Sequence, residues 1–149
     1  MQKGSVLSVN ISAKKGEMKK AVEEIIITDK GIENDAHAGD WHRQVSLLAE
    51  ESIRKFEKII GRELDFGEFA ENITTKGLIL HKMHIGDRLI LGDEVELEIT
   101  QIGKECHGTS CAIFHAVGKC VMPKEGIFCK VIKGGKLSSK DGIKYLPNS

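Results

Sequence analysis

Cys106, Cys111, Cys120 and Cys129 are the only cysteines of the chain and lie within 24 residues of one another, so sulfur chemistry or metal binding is the first function class to weigh. Their intervals, C-x4-C-x8-C-x8-C, lack the close C-x-x-C pairs with which a structural zinc site presents two thiolates to one tetrahedral ion. A metal alternative remains in His107, Cys111 and His115, which recur every four residues and would share one face of a helix able to hold zinc or copper. That helix would have to run through Gly108, at a cost of about 1 kcal/mol relative to alanine. Cys111 is the strongest candidate for chemistry. It follows Thr109 and Ser110 in a small polar stretch between a predicted strand and a short helix over 112–117, where backbone N–H groups lower a thiol pKa. A thiolate there could ligate a soft or high-valent metal or carry a sulfane sulfur, whereas the plain alternative is a buried structural cysteine. Cys106 and Cys120 flank it as potential resolving thiols. Cys129 sits in the apolar run Ile127-Phe128-Cys129 and is expected to pack.

A second group of polar residues, Asp35, His37, His42 and Arg43, surrounds Gly31 and Gly39. Acid–base chemistry or metal binding could use the aspartate and histidines, and the Arg43 guanidinium could grip a phosphate with two parallel bonds. The plain alternative is a polar loop with an Asp35–Arg43 ion pair. Further along, Glu71 and Asn72 precede Thr74-Thr75-Lys76-Gly77, a predicted turn whose amide and hydroxyls could hydrogen-bond a ligand or merely shape the chain. Lys124 and Glu125, beside Pro123, could line the same pocket.

These residues must be positioned by a chain of 149 residues, long enough for one core and read as a single domain over 1–149. Lys plus Arg equals 22 and Asp plus Glu equals 22, so no global field favours nucleic acid or an anionic membrane, and self-association is compatible with the balance. There is no apolar leader or membrane-length stretch, which favours a cytoplasmic protein with reduced thiols. Val6, Val9 and Ile11 predict an opening strand, and Val22 to Thr28 a second one ending at a turn around Asp29-Lys30-Gly31. Ala49, Ile53, Phe56 and Ile60 recur at helical spacing, with Ser46 as a potential cap and Gly61 as a stop. Arg88–Leu91 and 94–101 predict a hairpin turning on the two residues Gly92-Asp93. Ile127–Ile132 and 136–137 predict another across Gly134-Gly135, with a last strand over 143–146. Strands dominate, so the expected fold is mainly β, a barrel with one or two peripheral helices.

Five segments in order, Gly31 to Gly39, Arg43 to Leu48, Phe69 to Ile73, Ile85 to Leu89 and the cysteine stretch, resemble the MOSC domain. That module is shared by molybdenum cofactor sulfurases, amidoxime-reducing molybdenum enzymes and small stand-alone bacterial proteins, and the last are the most similar. The resemblance implies a mixed-strand β-barrel and a role in molybdenum cofactor (molybdopterin) binding, sulfuration or delivery. It matches Cys111 to the family's characteristic cysteine, as molybdenum ligand or sulfur acceptor, and makes Asp35, His37, Arg43, Ser46, Asn72 and Ser110 candidates for holding the pterin cofactor. Sulfurase members carry a pyridoxal-phosphate domain that this chain lacks, and amidoxime-reducing members have an arginine where this chain has Ala70 and Glu71. A cysteine desulfurase or cofactor-synthesis enzymes are therefore the expected partners. Competing readings are a non-catalytic interaction module and a small zinc protein using His107, Cys111 and His115.

Overall fold

The computed structural model describes residues 3–14, 18–36, 38–103 and 125–148. Among them are eleven strands and one α-helix: β1 Lys3–Ile11, β2 Lys20–Val22, β3 Glu24–Thr28, β4 Gly31–Ile32, β5 Val45–Ala49, α1 Glu50–Ile60, β6 Ile73–Lys76, β7 Arg88–Leu91, β8 Val95–Ile102, β9 Ile127–Lys133, β10 Gly135–Ser138 and β11 Gly142–Leu146. Seven strands close a barrel in the order β1-β11-β7-β8-β9-β5-β6, with β1 pairing back to β6. Closure removes the sheet edges. Neighbours are antiparallel except β5 and β6, whose parallel register sets Leu47 opposite Ile73. A parallel pair needs a crossover, and α1 lies within it. The outer edge strand β2 pairs with the end of β1, and β10-β3-β4 form a separate small sheet.

Binary patterning accounts for the barrel wall. Val95, Leu97 and Ile99 on β8 face the interior with Leu89 and Leu91 of β7, while Glu96 and Glu98 face outward. Strand β5 is buried at every position, because Leu47 faces the barrel interior and Leu48 faces a second core beneath α1 with Ile53, Phe69 and Phe128. Phe56 packs edge-on against Phe69 at 5.8 Å. The first turn of α1 carries Glu50 and Glu51, complementing the helix dipole, and Gly61 ends it in the left-handed region at φ 86°.

The expected barrel and helix are present, with local corrections. Ser46 does not cap α1; Ala49 holds the cap position without a side-chain bond, and Ser46 is inside β5. The stretch Thr74-Thr75-Lys76 is strand β6, not a turn, since both threonines are fully buried between β1 and β5. Strands β9 and β10 do not form a hairpin: β9 pairs with β8 and β5, and β10 pairs with β3. Gly134 serves a close approach there, because a Cβ on it would lie 2.2 Å from the Ile27 carbonyl oxygen. The β7–β8 link is three residues, since Leu91 pairs with Val95. The second predicted strand is broken at Glu23 into β2 and β3.

Candidate functional site

Strands β8 and β9 meet at one end of the barrel, where the Gly103 amide donates to the Gly126 carbonyl at 2.7 Å. The sequence between these glycines carries Cys106, His107, Ser110, Cys111, His115, Cys120 and Lys124, all outside the described residues, as is His37. The expectations placed on them are therefore structurally open.

Beside this junction lies Arg43, the residue two before β5. Its Nε donates to Gln101 Oε1 at 2.8 Å. The guanidinium carbon sits 5.4 Å from the Phe128 ring centroid and 5.9 Å from that of Trp41, distances at which a cation is attracted to an aromatic face. Among the described residues, neither terminal nitrogen of Arg43 has a hydrogen-bond partner, so two donor groups on a half-buried cation remain available to an anion. Gln101 fixes the geometry from β8. Its Oε1 also lies 2.9 Å from His42 Nε2, and its Nε2 donates to the Gly103 carbonyl at 2.7 Å. The Thr100 hydroxyl bonds the His42 carbonyl. Gln44 ties the preceding loop to the wall: Nε2 donates to the Asp29 and Gly39 carbonyls, and Oε1 accepts from the Val131 amide at 2.8 Å.

Ser46 and Asn72 come together in a different way. The Ser46 amide and hydroxyl both lie within bonding distance of Asn72 Oδ1, at 3.0 and 3.1 Å, and the Asn72 amide donates to Ser46. Asn72 Nδ2 donates to the Asn10 carbonyl at 3.2 Å, and Asn10 Nδ2 donates to the Glu71 carbonyl and lies 3.2 Å from Thr74 Oγ1. Ser46 and Asn72 are 1% and 0% exposed, so this is an internal lock joining β1, β5 and β6. Glu71 is enclosed with it. Its Oε2 accepts from the Gly67 amide and the Thr74 hydroxyl, while Oε1 has no partner among the described residues. Burial outweighs those bonds and pushes its carboxyl up to about 7.

Asp35 does not pair with Arg43, which is engaged by Gln101. It forms a fully buried ion pair with Lys19 at 2.8 Å and accepts from the Ser12 amide at 3.0 Å, so it holds the loop before Arg43 against the end of β1. At the far end of the cysteine-bearing stretch, Glu125 is anchored to α1: its Oε1 accepts from the Ser52 hydroxyl at 2.6 Å and its Oε2 pairs with Lys55. Burial opposes the Glu125 charge, but Lys55, Ser52 and His81 outweigh it and hold the carboxyl below its ordinary value. Cys129 is fully buried in the barrel core, and burial raises its thiol pKa, which makes it unreactive.

Sequence reasoning missed Gln101, Gln44 and Lys19. Gln44 carried a readable signal, an amide immediately before an apolar strand. Gln101 and Lys19 carried none, because their partners lie 58 and 16 residues away. Among the described residues there is no cluster of three or more potential metal ligands and no helix long and apolar enough to cross a membrane.

The profile of the MOSC domain family matches residues 34–144, a span that includes the Arg43 rim, the lock and the cysteine-bearing stretch. Solved structures share the fold. The YuaD protein of Bacillus subtilis superposes with a TM-score of 0.80 at 16% identity, covering 99% of this chain and 97% of that one. YiiM from Geobacillus stearothermophilus gives 0.74 at 19% identity over 96% of this chain and 75% of that one. YiiM from Escherichia coli gives 0.66 at 18% identity over 100% and 71%. No curated protein sequence matches the chain.

Proposed function

From the premise that this chain belongs to the MOSC domain family, which is associated with the molybdenum cofactor, we propose that it binds that cofactor at the β8–β9 end of the barrel. The observation that carries this reading is the Arg43 guanidinium, held by Gln101 near two aromatic rings with its terminal donors uncommitted among the described residues, beside the junction from which the Cys111-bearing stretch departs. The donor set fits a phosphate-bearing ligand, because a protein of zero net charge needs a local cation to hold one. When bound, the cofactor supplies a high-valent metal with affinity for thiolate sulfur.

In this proposal Cys111 is either that thiolate or an acceptor of sulfane sulfur, with Ser110 and His37 beside the bound group. Arg43 binds the phosphate. Asp35, through Lys19, and Ser46, through Asn72, hold the two segments flanking Arg43 in place. As an acceptor, the Cys111 thiolate attacks the outer sulfur of a partner's persulfide, the new S–S bond forms on Cys111, and the partner's thiolate leaves. A cysteine desulfurase is the partner class with that chemistry, and a carrier needs no electron source of its own.

Protein purified from a host that makes the cofactor should contain molybdenum and pterin in equal amounts, read by elemental analysis and fluorescence of the oxidised pterin. Cys111→Ser should lose the metal, or the cyanolysable sulfur loaded by a desulfurase. Wild-type protein that binds neither pterin nor sulfur, or that contains zinc alone, would overturn the proposal.

A further inference from the structure

Strand β2 pairs with β1 along one side only, with Val22 opposite Val9 and Lys20 opposite Ile11. Among the described residues no strand pairs with its other side. Such an edge is a template for another chain. The surface beside it is a groove made of two adjoining hollows of about 350 and 200 Å³ that share Ile11, Val22 and Asn34. Met18 and Lys20 line one hollow; Glu24, Ile26 and Glu33 line the other. Met18, Val22 and Ile26 are three of the six large apolar side chains exposed among the described residues. Their concentration along one groove marks it as an interaction surface.

The order of charges selects the occupant. Along the groove the chain presents a base, an apolar centre and acids: Lys20, Val22, then Glu24 with Glu33. A surface of this kind is complementary to itself after a half-turn. We infer that this groove is the contact of a two-fold symmetric homodimer, with the axis passing beside Val22. A two-fold axis beside Val22 exchanges the two hollows, so the Lys20 end of one copy faces the Glu24 end of the other, and the pair occurs twice. Val22 then meets Val22 of the second copy, and Met18 and Ile26 extend the apolar centre to either side. Zero net charge, from 22 basic and 22 acidic residues, leaves no long-range repulsion to oppose the contact.

The test is sedimentation velocity of the full chain across a concentration series, with circular dichroism confirming that each variant is folded. Wild type should move from monomer to dimer as concentration rises. Lys20→Glu and Glu24→Lys should each weaken association by at least about 10-fold, because two like-charge contacts replace two ion pairs. The double exchange Lys20→Glu with Glu24→Lys should restore it. Both sites of the test are exposed, so folding does not depend on them; should one single variant misfold, the other together with the double variant gives the same reading. A wild-type chain that stays monomeric throughout, or a dimer indifferent to either reversal, would overturn the inference. So would a double exchange no better than the singles.

Discussion

Arg43 and Ser46, only three residues apart, belong to two regions of opposite character, the Ser46–Asn72 lock inside the wall and the Arg43–Gln101 rim at its end. In the lock every polar group of Ser46 and Asn72 faces another group of the protein. At the rim one side of a guanidinium is fixed and the other is left with donors to offer. Both regions are rich in hydrogen-bonding residues, yet one can only hold strands together while the other can receive a ligand. What separates them is satisfaction, not residue type.

The largest effect should come from breaking the lock. Asn72→Ala removes the acceptor of the Ser46 amide in a site without water access, a loss of about 3–4 kcal/mol from several buried bonds failing together. Urea unfolding should show it as a lower midpoint. Arg43→Ala, in contrast, should stay within about 1 kcal/mol of wild type. Equal destabilisation by the two would erase the distinction drawn between the regions.

Glu71 sharpens the same point through pH. Its ordinary value is 4.5 and burial raises it to about 7, so the unfolded chain releases its proton first as pH increases. The contribution of Glu71 to stability is therefore fullest below 4.5 and falls between 4.5 and about 7, a decline of about 3 kcal/mol at 1.36 kcal/mol per unit. The sign is opposite to that of Asp87, whose burial is outweighed by bonds from Tyr145, Asn148 and His84 that hold its carboxyl below the ordinary value. Glu71→Gln should flatten the difference in unfolding free energy between pH 4.5 and 8 relative to wild type. An unchanged slope would mean that Glu71 stays ionised inside the fold.

Local periodicity made part of this architecture legible. The β7–β8 hairpin and α1 each have one dry and one wet face, so Val95, Leu97 and Ile99, or Ile53 and Phe56, announce themselves every second or every third to fourth residue. Strand β5 does not, because Leu47 and Leu48 are buried on opposite sides by two different cores and the alternation vanishes. Strand β6 was masked by Thr74 and Thr75, polar residues buried in the wall. Gly134-Gly135 resembled a turn because a tight approach to Ile27 and a reversal both demand glycine. At the site Arg43 was readable from its charge. Its partner was not, since nothing near Gln101 in sequence reports a contact with a residue 58 positions away.

Arg43→Ala should next weaken binding of the pterin cofactor by about 10- to 150-fold, the loss of a charge-assisted bond of about 1.5–3 kcal/mol. Titration calorimetry reads this directly. Loss of binding in Arg43→Ala with stability retained, beside loss of stability in Asn72→Ala, would separate ligand contact from scaffold. Unchanged affinity would remove Arg43 from the site.

The smallest effect, and the finest test of the rim, is Gln101→Ala. This change leaves the Arg43 charge intact and removes only what aims it: the acceptor for Nε at 2.8 Å and the link to the Gly103 carbonyl at 2.7 Å. The Phe128 and Trp41 rings still attract the guanidinium, so it should stay near its place but sample more orientations. Its terminal nitrogens then lose orientational freedom on binding that Gln101 had already removed, which should cost about 0.5–1.5 kcal/mol, or roughly 2- to 10-fold in affinity. Because the charge is unchanged, the salt dependence of binding should match wild type, whereas Arg43→Ala should flatten it. A Gln101→Ala protein with a flattened salt dependence would show that Gln101 acts on more than orientation, and one with wild-type affinity would show that the two aromatic rings alone hold Arg43 in its binding geometry.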